Sequence, residues 1–344
     1  PKSLSSFDIR LLNAGVDISA NSAALLKDFA STTKAKSDNS FAINIHYTVL
    51  RNNKLISNVY INNKIKVKLT ITKNTWTVCK MTTLNTQHLR YYPAKPHQVY
   101  LYGTCLADTL YPDSGIDAIK FLEHQGIEVI FPQGQTCCGQ PAYNSGYQSE
   151  AKAVALAQVA QFPRDIPIVI ISGSCGGMMR HHYPDLLKGE TGIQAFCDRI
   201  FEFTEFLVNV LKIKLTDQGA PEKVALHTSC AARREMGVHI TGKKLIQQLE
   251  NVELITHQYE SECCGFGGTF AVKHGDISAA MVKDKTANLL DADVVRYISA
   301  DWGCMTNIDG SLEFQKKSLR GEHIASYLLK RTLAQAPKNV GANK

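Results

Sequence analysis

The chain of 344 residues is 44% hydrophobic, enough to bury a sizeable core and of a length that is ordinarily two domains. Its net charge of +7 is confined to the start: residues 1–80 hold 12 Lys and Arg against 4 Asp, leaving 26 basic against 27 acidic residues beyond. The neutral balance of the main part argues against a nucleic-acid partner, and no apolar run approaches the roughly 20 residues that span a bilayer.

The first 80 residues contain ten Asn and Lys/Asn/Ile-rich text such as RNNKLISNVYINNKIKVKLTITKN, and the first methionine of the chain is Met81. Lys, Asn and Ile are what AT-rich codons encode, so one expectation is that this leader is translated upstream DNA and that the native protein starts at Met81. The rival is a small accessory domain of β character, because NVYINNKIKVKLTIT alternates like a solvated strand pair. Neither assigns the leader any chemistry.

From Met81 onward the pattern is orderly α/β. HQVYLYGTC reads as a strand ending at Cys105, DSGIDAIKFLEHQG as a helix, EVIFP as a short strand, SEAKAVALAQVAQF as a helix and PIVIISGSC as a buried strand closing at Cys175. The stretch from Phe196 to Lys214 reads as one long helix. After a Pro/Gly-containing boundary, TDQGAPEK, the order repeats: KVALHTSC, TGKKLIQQLE, VELITH, SAAMVKDKTANLLDA and DVVRYISADWGC, then a terminal helix EHIASYLLKRTLAQ. The fold class is therefore α/β, with two tandem pseudo-symmetric parallel-sheet units over residues 81–216 and 217–344 and right-handed crossovers.

Eight of the ten cysteines carry the repeat. The first set is Cys105, the pair Cys137 and Cys138 in TCCGQP, and Cys175. The second is Cys230, the pair Cys263 and Cys264 in ECCGFGG, and Cys304, offset from the first by 125 to 129 residues. Each predicted strand delivers its cysteine to the carboxyl rim of a parallel sheet, where ligands gather. Each set of four is thus expected to form one metal site.

Four thiolates per half suit tetrahedral zinc or an iron–sulfur cluster. Zinc sites draw ligands in close pairs, whereas here 31 residues separate Cys105 from Cys137 and 32 separate Cys230 from Cys263. Adjacent cysteines can also touch different iron atoms of a cluster without straining toward one ion. Gly139 and Gly265 permit positive φ and close backbone approach to the sulfurs. Iron–sulfur is the preferred reading, ahead of zinc and of a metal-free dithiol, for which no C-x-x-C is present.

This arrangement resembles the cysteine-rich CCG repeat found twice in the CCG-bearing subunit of heterodisulfide reductase and in iron–sulfur subunits of glycolate and glycerol-3-phosphate oxidising complexes. GQTCCGQPAYNSGY, GSCGGMMRHHYP, FEFTEFLVNVL and ECCGFGGTFAVKHGDISAAM are similar to the lactate-utilisation protein A family, small iron–sulfur subunits of a three-protein bacterial L-lactate oxidation system. The resemblance covers roughly residues 97 to 335. It implies one or two four-iron four-sulfur clusters, electron transfer during oxidation of L-lactate to pyruvate, and two partners: a larger ferredoxin-type iron–sulfur subunit and a third small protein. With no signal peptide in view, the cysteines read as reduced and intracellular and not as a disulfide framework, so the expectation is a bacterial cytoplasmic location, with any membrane association peripheral and through a partner. One departure matters. The heterodisulfide reductase relative ends each repeat in C-x-x-C, but Met178 and Asn307 stand at those places here, so its five-thiolate cluster does not carry over unchanged. Rival readings are a heterodisulfide reductase-like or glycolate/glycerol-phosphate subunit, and a zinc-stabilised scaffold without redox chemistry.

Other residues carry weaker signals. Arg180, His181 and His182 follow Cys175 and are candidates to meet a substrate carboxylate or to tune a cluster, against a plain surface patch. His227 is expected to be a satisfied core histidine, Cys197 core packing, Arg233 and Arg234 a charged helix start, and Lys273 and His274 a solvated face. GFGG after Cys264 lacks the spacing of a dinucleotide fingerprint.

Overall fold

The computed structural model describes residues 90 and 92–333 and, before them, the backbone of four strands within residues 43–83. The chain divides into two compact units, Pro1–Tyr91 and Tyr92–Lys344. In the first, β1 (Ile43–Leu50), β2 (Lys54–Ile61), β3 (Ile65–Thr72) and β4 (Thr75–Thr83) form an antiparallel meander in sequential order. The alternating segment read as a strand pair runs through β2 and β3, and Met81 lies inside β4 opposite Val67.

The second unit holds two parallel sheets of the same design. One contains β5 (Gln98–Tyr102), β6 (Glu128–Ile130), β7 (Ile168–Ile170) and β8 (Ile200–Glu202), in the order β6-β5-β7-β8. The other contains β9 (Glu222–His227), β10 (Val252–Ile255), β11 (Arg296–Ser299) and β12 (Gly321–His323), in the order β10-β9-β11-β12. Every neighbouring pair is parallel. In both sheets the strand order reverses between the two central strands, and the crevice beyond their carboxyl ends is where such sheets receive ligands.

The strands are shorter than the sequence pattern predicts, and the cysteines sit in the turns after them. Past β5 the chain turns at Thr104, whose φ of 64° is uncommon for a β-branched residue, and Cys105 opens the helix Cys105–Leu110. Cys175 lies in the helix Gly173–Gly177, and Cys304 in the first turn of Trp302–Phe314. The long helix expected from Phe196 to Lys214 is instead interrupted by β8. Glu202 ends that strand and caps the next helix, accepting from the Thr204 and Glu205 amides at 2.8 and 3.1 Å. The apolar text of IFEF hides a three-residue strand, and β12 is concealed in the same way before the terminal helix Ile324–Thr332.

The repeats are not separate globules. Leu101, Val169 and Phe203 from the first share one apolar core with Leu226, Ile298 and Ile324 from the second. The opposite face of the first sheet packs Tyr102, Ile168, Met179 and Phe196. Between the repeats, Trp302 stacks on Tyr111 at 3.7 Å between centroids and donates Nε1–H to Ser114 Oγ at 2.9 Å. Gly173 meets Ala232 so closely that a Cβ there would lie 2.3 Å from the alanine methyl.

At the centre of this joint lies Asp301, 4% exposed. Its Oδ1 accepts from Ser172 Oγ at 3.2 Å and Ser174 Oγ at 2.8 Å, and its Oδ2 from the Ser174 amide at 2.8 Å and Ser229 Oγ at 2.7 Å. Burial raises the Asp301 pKa, partly offset by these donors. Asp301→Ala strands buried donors from both repeats and should destabilise the second unit by about 3 kcal/mol in urea unfolding, with one cooperative transition for both repeats.

Glu202 is fully buried with Oε1 unpartnered among the described residues, and burial pushes its pKa up to about 7. A carboxyl whose folded pKa is raised favours the folded state when protonated, so its contribution is fully present below the unfolded value of about 4.3 and is lost as pH rises through about 7. Glu202→Gln should therefore flatten the fall in unfolding free energy between pH 4.5 and 8 by roughly 3 kcal/mol, measured by urea titration at each pH.

Candidate metal centre

All eight repeat cysteines line one cavity of about 480 Å³ between the two repeats. The strand ends of both sheets open onto it, so two sets of four thiols face a common space instead of forming two remote sites. Each set is layered in the same way. Cys138, Cys175, Cys264 and Cys304 are buried, while Cys105, Cys137, Cys230 and Cys263 are half-buried nearer the mouth.

The CCG text works by backbone geometry. Gly139 and Gly265 adopt φ of 84° and 83°, and a Cβ on Gly265 would lie 2.8 Å from the Ser278 carbonyl. In that conformation the glycine amide donates back to the first sulfur of each pair, from Gly139 N to Cys137 Sγ and from Gly265 N to Cys263 Sγ, both at 3.4 Å. The neighbouring thiols point the same way. Hydrogen bonds from Cys105 and then Cys138 hold the Cys137 thiol well below its ordinary range, and Cys230 and Cys264 do the same for Cys263. Each pair thus begins with a sulfur stabilised as thiolate, the form that binds metal. The second peptide of each pair is fixed through its carbonyl: Tyr183 Oη donates to Cys138 O at 2.8 Å, and Asn307 Nδ2 to Cys264 O at 2.7 Å.

These residues fit an iron–sulfur group in donor chemistry. Four soft sulfurs per repeat converge, Cys264 and Cys304 Sγ stand 2.8 Å apart as free thiols, and the Asp301 network holds the wall between them. His227, in contrast, departs from the expected satisfied core histidine. It is fully buried, yet neither ring nitrogen has a hydrogen-bond partner among the described residues. A ring nitrogen and the sulfurs of Cys264 and Cys304 all lie within 4.8 Å of one another. Burial, with the nearby Lys285 ammonium, pushes its pKa down to about 3, leaving a neutral imidazole.

Of Arg180, His181 and His182, the last alone lines the cavity, with Nε2 3.2 Å from Glu235 Oε1. The Arg180 guanidinium is nearly buried away from it, paired with Glu205 at 2.7 Å and donating to the Ile200 carbonyl at 3.1 Å. His181 Nε2 meets the Glu235 carbonyl at 3.0 Å. Cys197 is buried outside the cavity and donates to the Met179 carbonyl at 3.1 Å. Lys273 and His274 are exposed. Arg233 is more than a charged helix start, since it pairs with Glu260 at 2.5 Å, and Arg234 lines the cavity. The sequence pattern gave no prior notice of Asp301, although an acid three residues before the last cysteine, where the first repeat has Ser172, is a visible break in the repeat.

A family model described as a cysteine-rich CCG domain matches residues 99–180 and 224–309. The chain is 40% identical over 237 residues to lactate utilization protein A 2 of Bacillus cereus (strain Q1), covering 68% of this chain and 98% of that protein. It is 39% identical over 235 residues to lactate utilization protein A of Geobacillus sp. (strain WCH70), covering 67% and 98%. A crystal structure of a hypothetical protein from Helicobacter pylori, 11% identical, superposes with a TM-score of 0.50 over 72% of this chain and 53% of that one, a likeness of fold alone.

Changing Cys138 or Cys264 to Ser should lower iron and acid-labile sulfide per chain by at least a third in anaerobically purified protein, while Cys197→Ser leaves both unchanged. Equal metal content in all three variants would remove the cavity cysteines as ligands.

Proposed function

Because the chain belongs to the lactate utilization protein A family of paired cysteine-rich CCG domains, we propose that it is an iron–sulfur electron-transfer subunit of a complex that oxidises L-lactate to pyruvate. The observation that carries the reading is the convergence of eight cysteines on one cavity. Cys105, Cys137, Cys138 and Cys175 hold the group of the first repeat, and Cys230, Cys263, Cys264 and Cys304 that of the second. When bound, an iron–sulfur cluster supplies one-electron transfer. The volume supports a cluster over zinc, since Zn–S bonds of about 2.3 Å draw four ligands around a single small ion.

The chain's own residues then have two tasks. Gly139 and Gly265 aim amides at sulfur and stabilise its negative charge, and the buried hydroxyls around Asp301 keep the two thiol sets at a fixed separation. Oxidation of lactate removes two electrons and two protons, and the chain carries no flavin or nicotinamide motif to take a hydride. That step falls to partners: a larger ferredoxin-type iron–sulfur subunit and a third small protein. The pairing of Arg180 with Glu205 supports leaving lactate itself to a partner, and the half-buried cysteines support electron exchange with a partner's redox group at that side of the cavity. No helix among the described residues is long and apolar enough to cross a membrane, in keeping with a cytoplasmic or peripheral place.

The purified chain should be brown, lose visible absorbance on adding dithionite, and show no bleaching with L-lactate alone, with lactate-dependent reduction appearing only once the partner subunits are added. Rapid bleaching of the isolated chain by L-lactate would refute the relay and make this subunit the dehydrogenase. A colourless protein containing zinc would instead support the scaffold reading.

A further inference from the structure

The two repeats are alike in fold but differ at the residue that closes the central strand. His227 ends β9 three residues before Cys230, and Tyr102 ends β5 three residues before Cys105. Both side chains are fully buried. Tyr102 is satisfied locally, its hydroxyl donating to the Thr136 carbonyl at 2.6 Å. His227 is not: both nitrogens lack a partner among the described residues, an arrangement that costs on the order of 1–3 kcal/mol per unmet group. An edge contact with the Tyr297 ring, centroids 6.5 Å apart, fixes the imidazole without using its nitrogens.

What the ring faces is sulfur. Donors bound to one metal atom at about 2.0–2.3 Å stand no more than about 4.6 Å apart, close to the 4.8 Å within which a His227 nitrogen, Cys264 Sγ and Cys304 Sγ lie. Lys285 adds a second difference. It is fully buried and donates Nζ to the Tyr259 carbonyl at 2.9 Å.

We propose that His227 is a metal ligand: the group held by the second repeat is bound through an imidazole nitrogen together with the thiolates of Cys264 and Cys304, whereas the first repeat binds through sulfur alone. The inference rests on the iron–sulfur reading above and adds to it that the two centres are chemically distinct. With the imidazole taking an iron position that a thiolate of the second set, Cys230 or Cys263, would otherwise hold, the reduction potential rises, so the second centre is the one that fills first.

The test uses the full chain, purified anaerobically, with and without ¹⁵N-histidine. In the reduced protein, pulsed electron paramagnetic resonance should resolve a strongly coupled nitrogen that changes on labelling. That signal should vanish in both His227→Ala and His227→Gln and persist in Tyr102→Phe. Reductive titration should show two steps in the native chain, the first shifted to lower potential in the His227 variants. Absence of a histidine nitrogen from the native spectrum overturns the proposal, as does its retention in a folded His227 variant. If the metal is zinc without labile sulfide, the iron–sulfur reading fails but the ligand assignment is still decided. X-ray absorption at the zinc edge then finds nitrogen in the native shell that His227→Gln removes, or finds sulfur alone and sinks it.

Discussion

A buried carboxylate held by hydroxyls and an amide organises this protein. Asp301 comes from the second repeat, and its partners Ser172 and Ser174 come from the first, with Ser229 returning from the second. Such a group is tolerable in a low-dielectric interior only when its lone pairs are met by well-placed donors. Three of its four hydrogen bonds cross the joint and fix the relative position of the two repeats. Each partner lies one to three residues from a cavity cysteine, so the same bonds set where the thiols stand. The close approach of Gly173 to Ala232 follows from this constraint: any side chain there would hold the halves apart.

Duplication supplied the frame, and divergence supplied the chemistry. Strand order, glycine conformation at the CCG turns and the layering of buried and half-buried sulfurs are common to both halves. Surrounding positions are not. Tyr102 corresponds to His227, Ser172 to Asp301 and Met178 to Asn307. Gln158, buried against Thr136 through bonds of 3.0 and 2.7 Å, stands near the place of Lys285. Where the second set has an ammonium and an unmet imidazole, the corresponding places beside the first set hold uncharged, hydrogen-bonded side chains. Hydrogen bonding and local charge tune metal centres, so equal ligand spacing does not make equal sites.

Much of this was legible in the sequence because it depends on local rules. Repeated cysteine spacing, β-branched runs and CCG turns announce parallel α/β units and a thiol-lined rim, and Gly139 and Gly265 take the backbone conformation their text implies. The missing parts depend on distant residues. β8 and β12 are as short as β6 and β7 but run straight into the helices that follow them, so their text merges with helical text, and they exist because a central strand offers them an edge. The union of two thiol sets in one cavity follows from how the repeats pack, which no single motif encodes. His227 reads as satisfied because an apolar strand predicts burial well and predicts hydrogen-bond partners poorly.

The joint between the repeats also has a consequence for the order in which the protein is made. The first repeat is finished by residues synthesised long after it: His323 Nε2 meets the Ile171 carbonyl across 152 positions at 2.8 Å, and Trp302 covers Tyr111 and Ser114. While the ribosome is still translating the second half, the first four thiols have no opposite wall. Closure waits for the last strand and the helix beyond it.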